Sequence, residues 1–201
     1  MDVKSIKTLG GLGALFLVLS WLPYLGFLLA IVGLVLLAIA LKKVSDAAPE
    51  RGIFTNFIIA FLVNFVGGLI AMFGGLFSML PFMAGDENTM AIGIGLGTIV
   101  AFVIGYIAFV ASGYYYKKCF TDTGDVLNQP LFKTAGNVIF WGSVAAIIII
   151  GFLVVWIGWI LVTVAFFTLP EKPAYQPQND LYNQPPSNPQ QPEQLSSNNQ
   201  Q

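Results

Sequence analysis

Histidine is missing altogether, and cysteine occurs once, at Cys119, in a chain of 201 residues. An intrachain disulfide, a histidine-containing zinc site and any Ser-His or Cys-His dyad are thereby excluded. Charge is scarce as well: nine Lys and Arg face ten Asp and Glu, 9% of the residues are charged, and the formal net charge is -1. No basic surface is available to neutralise phosphates, which removes nucleic acid as a partner. What fills the chain instead is apolar. Its residues are 56% hydrophobic, with a mean hydropathy of +0.77; soluble domains are about half apolar and a quarter charged. The composition is that of a protein whose solvent is the lipid bilayer.

Four stretches carry no charge at all: Thr8 to Leu41, Gly52 to Gly85, Asn88 to Tyr116 and Thr134 to Pro170. Each exceeds the roughly 20 residues that cross a hydrocarbon core of about 30 Å. The longest pose a question, because a continuous helix of that length would reach about 50 Å. The first run answers it at Trp21-Leu-Pro23-Tyr24-Leu-Gly26, where Pro and Gly interrupt the helix and the aromatics suit an interface. Charge bias supports a hairpin there, since Lys and Arg in short loops stay on the cytoplasmic side. Four single crossings would split the nine cations 3 to 6. Reading the first and last runs as hairpins puts Lys4, Lys7, Lys42, Lys43, Arg51, Lys117, Lys118, Lys133 and Lys172 together on one side. Lys4 and Lys7 precede an apolar run as in a signal peptide, but more such runs follow without a small-residue cleavage site, so that run is expected to be retained.

The expected fold is all-α: a polytopic helical membrane protein of about six short transmembrane or re-entrant helices, arranged as hairpin, two central spans, hairpin. The spans fall near Leu9–Trp21, Leu25–Leu41, Ile53–Leu80, Ala91–Tyr116, Ala135–Ile150 and Phe152–Thr168. The expected location is the cell membrane, multi-pass, with both termini cytoplasmic. Residues 1–169 form the helical domain. Residues 170–201, rich in Pro, Gln, Asn and Ser, cannot bury enough surface to fold and form a disordered cytoplasmic tail. Its Tyr175 and Tyr182 between prolines make it available to a protein partner. A weak repeat links the two hairpins. Lys7-Thr-Leu-Gly10 resembles Lys133-Thr-Ala-Gly136, and Gly26 to Gly33 has the spacing of Gly151 to Gly158; parallel repeats of this kind occur in transporter folds.

Small residues recur every fourth position at Gly67, Ala71 and Gly75 and again at Gly93, Gly97, Ala101 and Gly105. Such stripes let helix backbones approach closely in lipid, so the third and fourth spans are expected to pack along them, with a homo-oligomer interface as the functional version. The alternation Gly93, Gly95, Gly97 lacks the strand and acidic residue of a dinucleotide fingerprint. No ionisable side chain sits at mid-membrane depth, which argues against proton coupling. Among the polar groups there, Asn64 and Thr98 are the candidates for a polar site. The segment Tyr114-Tyr-Tyr-Lys-Lys-Cys119 reads as an interfacial anchoring loop, with a reactive Cys119 thiolate beside Lys117 and Lys118 as the minor alternative. Catalytic residues, metal ligands and cofactor motifs are not identified.

The order of features is similar to a prokaryotic membrane family, domain of unknown function 996. The resemblance is carried by Leu9-Gly-Gly-Leu-Gly13, Ile31 to Leu41 leading into Val44-Ser-Asp46, Gly52-Ile-Phe54, Phe132-Lys-Thr-Ala-Gly136 and Ile160 to Phe167. It implies a multi-pass membrane protein and no established activity. The sequence reading is therefore a non-enzymatic membrane protein acting by assembly or scaffolding in the lipid bilayer. The alternative is a small channel or carrier for a neutral solute.

Overall fold

A computed structural model describes residues 3–78 and 87–170, without the side chains of residues 78 and 87–96. The expected disordered tail and the turn at Asp86 lie outside the described residues. Among the described residues six α-helices follow one another: α1 (Val3–Leu19), α2 (Gly26–Ala47), α3 (Ile53–Ser78), α4 (Glu87–Val126), α5 (Pro130–Val144) and α6 (Ile150–Phe167). Single 3-10 turns occupy Pro49–Arg51 and Ala145–Ile147, and no strand occurs among the described residues. The all-helical expectation holds. Four helical segments are long and apolar enough to cross a membrane: α2, α3, α4 from Gly97, and α6. At 17 and 15 residues, α1 and α5 fall short of that length.

Helices suit these runs because hydrocarbon offers no partner to a backbone N–H or C=O, and a helix satisfies nearly all of its own. The helices pair as three hairpins, α1 with α2, α3 with α4 and α5 with α6. Contacts of α1 with α6 and of α4 with α5 join the hairpins into an arc ordered α2, α1, α6, α5, α4, α3. The two ends of the arc, α2 and α3, touch only sparingly. Alternating helix direction gathers the described cations at one end of the bundle and the turns 20–25 and 145–149 at the other.

The link from α2 to α3 turns on Gly52, whose φ of +61° is left-handed and is cheap only for glycine. The first hairpin breaks where the Pro23-Gly26 signal places it. The second breaks earlier than expected, at 145–149 instead of near Gly151. No proline marks the spot; Ile148 is extended, at φ -101° and ψ 120°. Gly151 lies one residue inside α6, its α-carbon so close to the Ala145 carbonyl that a Cβ would come within 2.4 Å of the oxygen. The expected loop after Tyr116 is also corrected: α4 runs unbroken to Val126. Its charges lie on one side while Cys119, Phe120, Thr123 and Val126 are fully buried on the other, which is the i, i+1, i+4, i+7 pattern of a packed helix.

At the charged end Phe57, Phe120, Phe132 and Phe166 are among the largest fully buried side chains. Phe132 and Phe166 meet edge to face at 4.8 Å between centroids, and Phe120 stacks on Phe132 at 6.4 Å. Outside, large apolar side chains such as Phe27, Phe102 and Ile149 are 76%, 62% and 83% exposed. Apolar exposure on that scale is what a lipid-facing surface requires.

Candidate functional site

At the turn end the bundle is hollow. An open-sided cavity of about 530 Å³ is bordered by α1, α2, α3, α4 and α6. Four side chains come from α2 (Phe27, Ala30, Ile31, Leu34) and four from α6 (Phe152, Val155, Trp156, Trp159). Each α6 position lies 125 residues downstream of its α2 counterpart. The buried positions of the two helices obey the same shift: Gly26 with Gly151, Gly33 with Gly158, Leu37 with Val162, Ala40 with Ala165, Leu41 with Phe166, and Val44 with Leu169. Helical periodicity alone would allow neighbouring shifts, but the glycine contacts fix this one. Gly26 abuts the Ser20 carbonyl and Gly151 the Ala145 carbonyl at the two turns; Gly33 crosses Gly13 where Gly158 crosses Ile139. The weak repeat read from the sequence thus extends through the whole of α2 and α6.

Phe61, Asn64 and Phe65 of α3 and Phe109 and Tyr116 of α4 supply the opposite wall. The floor is aromatic: Tyr116 meets Trp159 at 5.4 Å and 77°, and Phe120 meets Trp159 at 5.9 Å and 89°. A second cavity of about 240 Å³, between α3, α4 and the second hairpin, continues the first and shares Asn64, Phe109 and Phe152 with it. From Tyr116 to Phe102 the combined space follows α4 for 14 residues, about 21 Å.

Of the polar side chains in these walls, Ser20, Tyr106 and Trp156 are hydrogen-bonded, whereas Trp21, Asn64, Tyr116 and Trp159 make no side-chain hydrogen bond among the described residues. The Trp156 indole donates to the Val18 carbonyl at 3.3 Å and the Tyr106 hydroxyl to the Val144 carbonyl at 2.7 Å. The buried hydroxyls of Ser143 and Thr163 donate to carbonyls four residues back, at 2.8 and 3.0 Å. Asn64 is the one amide among the lining residues; it is exposed and lines both cavities. It stands 11 residues into α3, about 16 Å from the charged end.

The stripe residues fall in several places. A Cβ on Gly67 would come within 2.1 Å of the Ala108 Cβ, and one on Gly105 within 2.9 Å of the Ala71 Cβ. Ala101 meets Gly74, whose Cβ would approach it to 2.6 Å. A Cβ on Gly75 would meet nothing within 4 Å, Gly97 is exposed, and Gly93 lies where side chains are not described. Thr98 is exposed near the far end of the α3–α4 pair. By the pairing of Gly67 with Ala108, Asn64 and Thr98 are separated by about 20 Å along the helices, so the two candidates do not share a site.

Cys119 does not fit the reactive alternative. It is fully buried, and Thr123 donates to its carbonyl at 2.8 Å, so solvent has no route to the thiol. At the charged end Asp125 links three elements, accepting from Arg51 at 3.0 Å and from Lys133. Those two cations hold its carboxyl below the usual carboxylate range, Lys133 most of all. Asp46 pairs with Lys42. No cluster of three or more metal-binding side chains occurs among the described residues.

Sequence reasoning singled out Asn64 but missed the aromatic walls around it, because they come from five helices far apart in the chain. The one advance signal was the shared glycine spacing of the two hairpins. No solved structure matches the chain. An uncharacterized protein of Methanocaldococcus jannaschii is 31% identical over 173 residues, covering 85% of this chain and 95% of its own. The family model described as a protein of unknown function (DUF996) matches residues 29–160, and the chain belongs to that family.

Proposed function

We propose that this is a multi-pass membrane protein, with both termini in the cytoplasm, that acts without catalysis by holding a neutral solute in its open-sided cavity. The observation that carries this reading is the apolar hollow with a single unpartnered amide, Asn64, in its wall. Binding sites for small molecules have this character: some hundreds of Å³, mostly apolar, with few placed polar groups. The orientation rests on the gathering of cations at the end opposite the turns.

Assembly or scaffolding draws less support. The stripe members Gly67, Ala71, Ala101 and Gly105 serve the internal α3–α4 contact, which leaves less of the stripe for a second copy. A water-filled channel also fits poorly, since the cavity ends on the rings of Tyr116, Trp159 and Phe120 and continues into the buried phenylalanines. The test is the native mass of the purified protein in lipid nanodiscs. A monomer retaining a non-covalent small molecule after bulk lipid is stripped is the expected result. A defined homo-oligomer with nothing retained would return the assignment to assembly, with Gly97 as the first position to mutate.

A further inference from the structure

The walls of the two cavities contain no Asp, Glu, Lys or Arg. A charged head group inside would lose its hydration without gaining a counter-charge, which costs several kcal/mol or more. The occupant is therefore uncharged. It is also elongated, because the space extends about 21 Å along α4 while remaining lined by side chains on both sides. Its entry is lateral: α2 and α3 touch sparingly, and the lining residues Phe27 and Phe65 on either side of that seam are 76% and 53% exposed. A molecule crossing the seam comes from the hydrocarbon, not from water.

Asn64 sets the remaining requirement. A carboxamide offers two donors and an acceptor, and in lipid an unsatisfied amide is unfavourable by several kcal/mol. At the junction of the two chambers it needs a partner that the described residues do not supply. We infer that the ligand is a neutral lipid, a hydrocarbon chain bearing one uncharged hydrogen-bonding group, which enters between α2 and α3 and seats that group on Asn64. This rests on the cavity-binding reading above and adds to it the class of molecule and the residue that recognises it.

Tryptophan reports occupancy directly, because Trp21, Trp156 and Trp159 line the cavity while Trp141 is on α5. With Trp141→Phe as the background, nanodisc-embedded protein is titrated with a brominated long-chain alcohol and with the alkyl sulfate of the same chain. The alcohol should quench saturably and at least about tenfold more tightly than the sulfate, whose charge would lose its hydration without a counter-charge. Asn64→Leu should weaken binding of the alcohol about tenfold, the factor that one well-placed hydrogen bond supplies, and Ala30→Phe, which fills the chamber from α2, should abolish saturable quenching by both probes. Equal affinity for alcohol and sulfate would overturn the neutral-lipid inference while leaving a binding cavity. An unchanged affinity for the alcohol in Asn64→Leu would overturn the role of Asn64. Linear, unsaturable quenching by both probes would overturn the cavity reading itself.

Discussion

Below Tyr116 and Trp159 the helices close on rings that touch one another, whereas above them seven further aromatic side chains surround a void. Both halves are rich in Phe and Trp, so ring content does not explain the difference. Backbone spacing does. Small residues zip the hairpins from within, Gly13 against Gly33 in the α1–α2 pair and Ala71 against Gly105 in the α3–α4 pair. Large rings then set the distance between hairpins. Toward the charged end the connections 48–52 and 127–129 and the Asp125 ion pairs draw the hairpins together. Toward the turns α2 and α3 have nothing to draw them in, and the space between the zipped pairs stays open.

The largest contrast should come from truncating one ring in each half. Phe132 is fully buried between Phe120 and Phe166, and Phe132→Ala should cost about 3–5 kcal/mol as a cavity-forming change. Phe65→Ala, at a residue already half exposed beside the seam, should cost under about 1 kcal/mol. Thermal or denaturant unfolding in detergent measures both. Similar losses would mean that the two halves are equally tight, and that the hollow is no resting feature of the fold.

A smaller effect sharpens the comparison between the two hairpins. A Cβ on Gly33 would meet backbone, 2.7 Å from the Gly13 carbonyl oxygen and 3.1 Å from the Leu17 nitrogen. On Gly158 its nearest neighbour would be the Ile139 Cγ1 at 2.5 Å, with the Ile139 nitrogen at 3.2 Å. Backbone cannot give, whereas a side-chain carbon can rotate. Alanine also gains about 1 kcal/mol over glycine in a helix. Gly33→Ala should therefore destabilise by about 1–3 kcal/mol net of that gain, and Gly158→Ala should lie within about 1 kcal/mol of wild type. Equal losses at the two sites would show that the repeated hairpins tolerate crowding alike.

Much of this architecture was legible in advance, for identifiable reasons. Pro23 and Gly26 mark one break unmistakably, and cation sidedness requires a second break in the last run. That second break was misplaced because a run of Ala and Ile carries no breaker, and only the packing of Gly151 onto Ala145 locates the turn. The extension of α4 was missed because Lys117, Lys118, Asp122 and Asp125 read as loop when taken by composition. Taken by period, Cys119, Phe120, Thr123 and Val126 already spell a buried face. Asn64 was legible as an uncompensated amide. The cavity was not, since no local pattern records the gap between helices that pair with other partners.

The smallest expected effect tests what holds the closed half together at its rim. The apolar stretch of α4 ends at Tyr116, and its last turns carry Lys117, Lys118, Asp122 and Asp125 beyond that stretch. There Asp125 joins α4 to Arg51, ahead of α3, and to Lys133 of α5. Its carboxyl is held below the ordinary aspartate value of about 3.9, so its contribution is fully present above that value and is lost as pH falls through the lower folded value. All three side chains are about a third or more exposed, which limits the gain to at most about 1 kcal/mol and makes it sensitive to salt. Wild type should thus lose a small increment of stability on acidification below about pH 4 that Asp125→Asn lacks, and 1 M salt should narrow the gap between the two proteins at neutral pH. An Asp125→Asn protein as stable as wild type in low salt at pH 7 would leave the connections and the buried rings as the sole cause of closure at that end.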